Sequence, residues 1–461
     1  MTPRAFVFLF AVMLAGFPAS AAEPDPTAGA ELGREFLDAK DAAARRELAD
    51  RLADYDDNIE PVLAKLRRQS FPKAKSGFIR REKFTLPALR KRHPDDLLYF
   101  TVPESYRPQR PTGLIVFLHG GGRTTSRHAP GVFLDFPEPD GPKIDMAFGD
   151  VFAESGMIAV GPSAPWDEDS PYRWCLEESD TYLADVILEC KSRYNIDPDR
   201  VVLLGHSMGG FGAFHHIQRS PDRYAAVISS SGSWSLGYLP AIRGTKLYFL
   251  NGIHDARAGV RWHYTDVEYG RWTDKLLTAA KLDHEYVEHD GKHSIGYNRR
   301  RIAGFLKTIA QSPRDPYYPH IALATPTGFR SDYKFAVSDN RWLSLNETTA
   351  GEITYDELRT NGAEEFDEWK LRHRTSKRRG ASIEAVNEGN NRIVLTTQNV
   401  RRLTVWLHPR MVDVKKRVRI VVDGKTRFDA VVRPSMATAL ESYKRREDWG
   451  LIYPIKVEIK L

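Results

Sequence analysis

Val201-Val202-Leu203-Leu204-Gly205-His206-Ser207-Met208-Gly209-Gly210 is the stretch on which the reading of the chain turns. Four apolar residues run as a buried strand into a G-x-S-x-G pattern, and a helical stretch over residues 209–219 follows. Small residues on both sides of Ser207 let a strand turn sharply into a helix. The hydroxyl is then lifted out of the sheet at a helix N-terminus, where developing negative charge is favoured. A serine presented in this way needs a base, a carboxylate to orient that base, and donors for an oxyanion.

Upstream, the apolar run 114–118 leads into His119-Gly120-Gly121-Gly122, roughly 85 residues before the serine. Consecutive glycines at a strand end leave backbone N–H groups open to close approach. Gly120, Gly121 or Gly122 can supply one oxyanion donor, and the Met208 N–H the other. Downstream, the run 246–250 is followed by Asn251-Gly252-Ile253-His254-Asp255, and 286–288 by His289-Asp290-Gly291-Lys292-His293. The expected catalytic set is Ser207, Asp255 and His293. His289 competes as base, and Asp290 or Asp266 as acid; His293 is preferred because it follows a glycine turn and ends its loop just before a helical run. His284-Glu285-Tyr286-Val287-Glu288-His289 looks like a zinc-protease helix, but its histidines are five apart where a shared helix face needs four. No metal and no cofactor are expected.

The surroundings of these motifs alternate in character. Residues 114–118, 157–160, 201–204, 225–229 and 246–250 read as buried strands, and 179–194, 209–219, 270–280 and 298–310 as helices. Strands alternating with helices predict an α/β fold with a doubly wound, mostly parallel sheet. Before it, apolar residues at near-helical spacing from Glu31 to Gln69 predict a helical arm packed on the main domain. After the break Ser312-Pro313-Arg314-Asp315-Pro316 and a bridging region, period-two alternation over 392–396, 403–407, 418–422, 428–432 and 455–461 predicts a mostly antiparallel β domain, most simply a small sandwich. Asp423-Gly424 is a hairpin signal within it. Arg4, the apolar stretch 5–17 and Ala19-Ser20-Ala21 form an export signal, since about 13 apolar residues fall short of the ~20 that span a bilayer. The expected partition is 1–21 signal, 22–82 helical arm, 83–312 catalytic domain and 313–461 auxiliary β domain. Outside the cytoplasm Cys175 and Cys190 either pair or remain two buried thiols.

His119-Gly120-Gly121-Gly122, Gly205-His206-Ser207-Met208-Gly209-Gly210, Asp255 in its G-x-x-D setting and Gly291-Lys292-His293 together resemble the α/β-hydrolase superfamily. The likeness is to its secreted serine esterase branch, which holds feruloyl and acetylxylan esterases, esterase-D-like enzymes and polyhydroxybutyrate-depolymerase-like proteins. It covers about half the chain. It implies two-step acyl transfer through Ser207 on an ester substrate, with polysaccharide-linked acetyl or feruloyl groups as one class. The related dienelactone hydrolases use a cysteine where this chain has Ser207. Two other readings remain beside it: a serine peptidase of prolyl-oligopeptidase type, and a carbohydrate-binding protein with an inactive hydrolase domain. A β domain that follows the hydrolase and is too short for a propeller weighs against the first, and the intact residue set against the second.

Candidate substrate contacts are Trp166, Trp174 and Trp262, which can stack on sugar or phenolic rings, and Arg257, which can meet a carboxylate. Residues 123–150, with Phe133, Phe136, Pro137 and Pro139, form a candidate lid or pocket wall. The chain has 67 Lys+Arg and 61 Asp+Glu, a formal charge of +6. From Pro313 onward the count is 27 against 20, so the rest of the chain is near neutral. The basic clusters Lys377-Arg378-Arg379, Lys415–Arg419 and Lys444-Arg445-Arg446 read either as a surface for acidic polysaccharide or, where they alternate with apolar residues, as solvated sheet faces. Nucleic acid is not an expected partner, because no recognition motif accompanies the charge.

Overall fold

A computed structural model of the chain describes residues 24–121, 128–141, 146–164, 166, 172–233, 236–255, 265–326, 338–361 and 370–461; the export signal expected over 1–21 lies outside them. Its helices are α1 (Pro26–Asp38), α2 (Ala42–Leu52), α3 (Ile59–Arg67), α4 (Pro87–Arg92), α5 (Ala129–Leu134) and α6 (Gly149–Glu154). They continue as α7 (Glu177–Arg193), α8 (Met208–Arg219), α9 (Val267–Ala279), α10 (Arg299–Ala310) and α11 (Met436–Arg446).

The central sheet is built from β1 (Gly77–Glu82), β2 (Leu98–Val102), β3 (Thr112–Leu118), β4 (Ile158–Pro162), β5 (Ile196–His206) and β6 (Ala226–Ser230). After the short β7 (Leu236–Gly237), which belongs elsewhere, it takes in β8 (Lys246–Gly252) and β9 (His284–His289). The order is β1-β2-β4-β3-β5-β6-β8-β9. All neighbours from β4 to β9 pair in parallel, and β1 and β2 add an antiparallel edge.

Strands covered on both faces must be apolar at every position, and Val201–Leu204 is buried throughout. Alternate residues serve opposite layers. Leu114, Val116 and Leu203 pack with Leu183, Val186 and Ile187 of α7, Phe214 and Ile217 of α8 and Leu277 of α9. Ile115, Phe117 and Leu204 pack with Phe133 of α5, Phe152 of α6 and Ile302, Leu306 and Ile309 of α10. All parallel strands therefore end on the same side, and their loops meet there.

Two further sheets share a second core. One runs β10 (His320–Thr325), β15 (Ala381–Asn387), β16 (Arg392–Gln398), β18 (Arg417–Val422), β19 (Lys425–Val431); the other runs β11 (Asp339–Asn340), β12 (Leu343–Thr348), β17 (Val400–Leu407), β20 (Ile455–Lys460). Their inner faces meet through Leu323, Ile383, Leu395 and Ile420 on one side and Leu343, Leu403, Val405 and Val457 on the other, the sandwich that the period-two pattern predicts. Among the described residues, its one departure from antiparallel pairing is β16 with β18. The bridging region is not irregular: it contains the long hairpin β13 (Glu352–Thr360) and β14 (Leu371–Arg379). β13 also pairs with β7, joining the sandwich side of the chain to the hydrolase sheet side.

The helical arm packs differently from expectation. Leu32, Phe36, Val62, Leu63 and Leu66 form one cluster with Met436, Ala439 and Leu440 of α11, so the apolar stripe of the arm is covered by the C-terminal region. Nothing in the arm sequence distinguishes one apolar partner from another, and α11 escaped the period-two reading altogether. Cys175 and Cys190 are both buried and are not joined in a disulfide. Among the described residues, no helix is long and apolar enough to cross a membrane.

Candidate active site

The turn between β5 and α8 carries Ser207 at φ 57° and ψ −115°, a region that non-glycine residues rarely occupy. Close packing enforces it. A Cβ on Gly205 would sit 1.9 Å from the Gly209 carbonyl oxygen, and one on Gly209 would sit 2.0 Å from that of Leu118. The Ser207 N–H donates to the Ser230 carbonyl at 2.8 Å, which anchors the turn to β6.

Asp255 follows β8, and its side chain is fully buried; His293 follows β9 and retains 19% exposure. His293 Nδ1 lies 2.8 and 2.9 Å from the two Asp255 carboxylate oxygens, and Nε2 lies 2.7 Å from Ser207 Oγ. An ionised carboxylate only accepts, so Nδ1 carries the proton and Nε2 is left to accept from the serine hydroxyl. Three residues spread over 86 positions thus form one directed hydrogen-bond chain at the carboxyl ends of β5, β8 and β9 of one sheet.

The competing residues are engaged elsewhere. His289 is buried and stacks on Tyr297 with ring centroids 5.3 Å apart; burial pushes its pKa below the ordinary histidine value. Asp290 pairs with exposed His254 at 2.9 Å. Asp266 caps α9 by accepting from the Glu268 N–H.

Gly120 lies against the serine: a Cβ there would meet Ser207 Cβ at 3.2 Å, whereas a Cβ on Gly121 would meet nothing within 4 Å. The backbone of Gly121 thus borders open space, one residue on from the glycine that touches the serine. Met208 is the first residue of α8, whose N–H has no acceptor within the helix. Gly122, Arg257 and Trp262 lie outside the described residues, as do parts of the candidate lid.

Two aromatic residues expected at the substrate occupy other positions. Trp174 is completely buried, and its indole N–H donates to the His119 carbonyl at 3.0 Å. It props up the glycine loop from below, so the expectation of a stacking surface is corrected; a large ring next to a tight turn is needed first as filler. Trp166 packs edge-on to Tyr182 at 4.6 Å between ring centroids and lines a separate cavity of about 460 Å³ with His93 and Asp96.

A supporting layer was not legible in the sequence. His119 Nε2 faces the Ser163 carbonyl at 3.1 Å, while the Ser163 hydroxyl and the Tyr182 hydroxyl both donate to Asp96. Burial raises the Asp96 pKa against the pull of those two donors. Asp96 reaches Ser163 because β2 lies beside β4, with Leu98 opposite Pro162. No local motif announces such a pairing.

The Esterase family model matches residues 97–290, which span the central sheet from β2 to β9 and include Ser207 and Asp255, with His293 just beyond the match. The chain carries an α/β-hydrolase domain of the esterase kind. Within this α/β-hydrolase, 74 residues are 32% identical to a bifunctional acetylxylan esterase/xylanase of Neocallimastix patriciarum, covering 16% of this chain and 11% of that protein. The chain therefore spans about a tenth of the length of that curated relative. Similar solved structures include a ferulic acid esterase, at 16% identity and TM-score 0.38 over 52% of this chain and 99% of the other. Another is the feruloyl esterase module of Clostridium thermocellum, at 14% identity and TM-score 0.36 over 52% of this chain and 93% of the other.

Proposed function

We propose that the protein is an exported serine carboxylesterase using Ser207, His293 and Asp255 in an acyl-enzyme cycle, with polysaccharide-linked acetyl or feruloyl esters as its substrate class. The observation that carries this reading is the hydrogen-bond chain from Asp255 through His293 to Ser207 Oγ. His293 Nε2 takes the hydroxyl proton as Oγ attacks the ester carbonyl, and Asp255 stabilises the imidazolium that forms. The N–H groups of Gly121 and Met208 receive the oxyanion; losing one such donor costs roughly 3–4 kcal/mol of transition-state stabilisation. His293 then protonates the leaving alcohol. In the second half-reaction it activates water against the acyl-enzyme. No step draws on a metal or cofactor.

Export is supported by Arg4, the apolar stretch 5–17 and Ala19-Ser20-Ala21. The glycan-ester class is supported by the acetylxylan esterase named among the relatives. The test is a panel of p-nitrophenyl acyl esters, methyl ferulate, acetylated xylan and chromogenic peptides, with Ser207→Ala as control. Ester turnover that vanishes in the variant is expected. Turnover that survives it overturns the mechanism, peptide cleavage without ester turnover moves the protein to the peptidases, and acyl release from simple esters alone removes the glycan substrate.

A further inference from the structure

On the far side of the nucleophile helix, α7 and α8 bring together three donors that the acyl-transfer chemistry does not use. His215 and His216 of α8 are both fully buried, and Asp180 of α7 retains 22% side-chain exposure. Asp180 Oδ1 lies 3.4 Å from His216 Nδ1 and 3.8 Å from His215 Nε2, and the three ligating atoms all lie within 4.8 Å of one another. The first two separations are beyond or at the edge of hydrogen bonding. The shorter matches the ~3.3–3.5 Å between neighbouring ligands around a tetrahedral ion bound at about 2.0–2.1 Å, and the longer closes to it with a small turn of the His215 ring.

The polar atoms around this gap are incompletely satisfied. Asp180 Oδ1 and both ring nitrogens of His216 are buried without a well-formed hydrogen bond, the Trp174 backbone being the polar group that approaches the His216 ring. Buried polar groups are normally satisfied, so a fully buried imidazole without a well-formed hydrogen bond beside an unmet carboxylate oxygen calls for an occupant. The other carboxylate oxygen is held in place: Arg219 Nε and Nη2 donate to Asp180 Oδ2 at 2.7 and 2.6 Å, which turns Oδ1 toward the imidazoles. Such an outer partner orients a ligating carboxylate.

We propose that Asp180, His215 and His216 bind one divalent transition metal ion of the zinc class. Two imidazoles and one carboxylate select zinc, cobalt or nickel over calcium and magnesium, which take oxygen donors. Both rings are fully buried, an environment that disfavours the charged imidazolium and leaves a ring nitrogen able to ligate. Entry is available from a cavity of about 350 Å³ lined by Asp180, Arg219, Arg223 and Asp222. Arg219 and Arg223 repel a cation and hold the affinity below that of an all-anionic site. The ion staples α7 to α8, the helix that begins at the nucleophile, and its role is structural.

Titration of the chelator-treated full chain with Co²⁺ tests the site. One ion per chain, with the visible absorption of a four-coordinate centre, is expected, together with a melting temperature that rises with Zn²⁺ concentration. The band disappears in His216→Asn and persists in His293→Asn, which separates this site from binding at the serine's own base. No stoichiometric binding to the parent chain, or a band untouched by His216→Asn, overturns the proposal. If His216→Asn does not fold, as judged by circular dichroism, Asp180→Asn takes its place with the same two outcomes.

Discussion

In the hydrolase sheet the decisive polar groups sit at the ends of fully buried strands, whereas in the C-terminal sandwich charge rides on open faces. Asp255 is completely buried and spends both oxygens on one imidazole. Arg417 and Arg419 keep 66% and 58% of their side-chain surface exposed and share Asp429, while the alternating Val418 and Ile420 are buried. A buried charge has one arrangement in which it is tolerated, so it specifies geometry; an exposed pair has many and specifies little. The two regions teach that the excess positive charge and the chemistry are separate properties of the chain. Even within the basic clusters, part of the charge is structural: Lys444 donates to the terminal carbonyls of α1 at Leu37 and Ala39, and Arg446 lies over Trp406 and Tyr453.

The contrast can be attacked most strongly at the site. Ser207→Ala is expected to lower kcat for ester hydrolysis about 10⁶-fold with an unchanged circular dichroism spectrum, since one member of such a set costs nearly as much as all of it. Asp255→Asn follows at about 10⁴-fold in kcat, because an amide facing Nδ1 stabilises the wrong tautomer; stopped-assay kinetics on a p-nitrophenyl ester read both.

The seam between the two regions comes next. Arg314, fully buried, donates to Asp199 at 2.8 Å on the hydrolase side and to Asp448 at 2.8 Å on the C-terminal side. Arg314→Ala leaves two carboxylates facing a buried gap and should cost about 3–5 kcal/mol in denaturant unfolding. Burial pushes the Asp448 carboxyl up, but Arg314 and Lys191 outweigh it and hold it well below the ordinary range. A depressed folded-state pKa contributes stability that is present above the unfolded value, near 3.9, and is lost as pH falls below it. Asp199 moves the other way, raised by burial against Arg314. Unfolding midpoints measured from pH 6 to pH 2 should therefore fall less steeply in Asp448→Asn than in the parent chain.

The smallest effect belongs to the open face. Replacing Lys415, Arg417 and Arg419 together by Ser should move the melting temperature by less than about 2 °C and leave ester turnover unchanged. A large loss of stability there would erase the distinction between the two regions.

Local chemistry accounts for what could be read from the residues in order. A buried parallel strand must be apolar at every position, and a strand turning sharply into a helix needs small residues, so Val201–Gly210 announces β5, the elbow and α8 together. Period two announces the sandwich strands for the same kind of reason. The loop residues Asp255 and His293 were legible because each follows such a strand and lies near a glycine. The hairpin β13–β14 was hidden because its strands are largely charged: Arg372, Arg374, Lys377, Arg378 and Arg379 lie on one of them. Its ion pairs, such as Arg374 and Arg378 with Glu357, exist only once the strands are paired.

Side-chain destinations needed the folded chain. Trp174 could stack on a ligand or fill a core by composition alone, and its burial under His119 follows from how closely α8 approaches β3 and the glycine loop. The helical arm carries an apolar stripe but no mark of its partner; α11, some 400 residues later in the chain, supplies it. Asp96 with Ser163 and Tyr182, and Asp180 with His215 and His216, likewise depend on strands and helices distant in sequence becoming neighbours. Backbone periodicity is a local property and survives in one dimension, whereas the identity of a contact is set by packing in three.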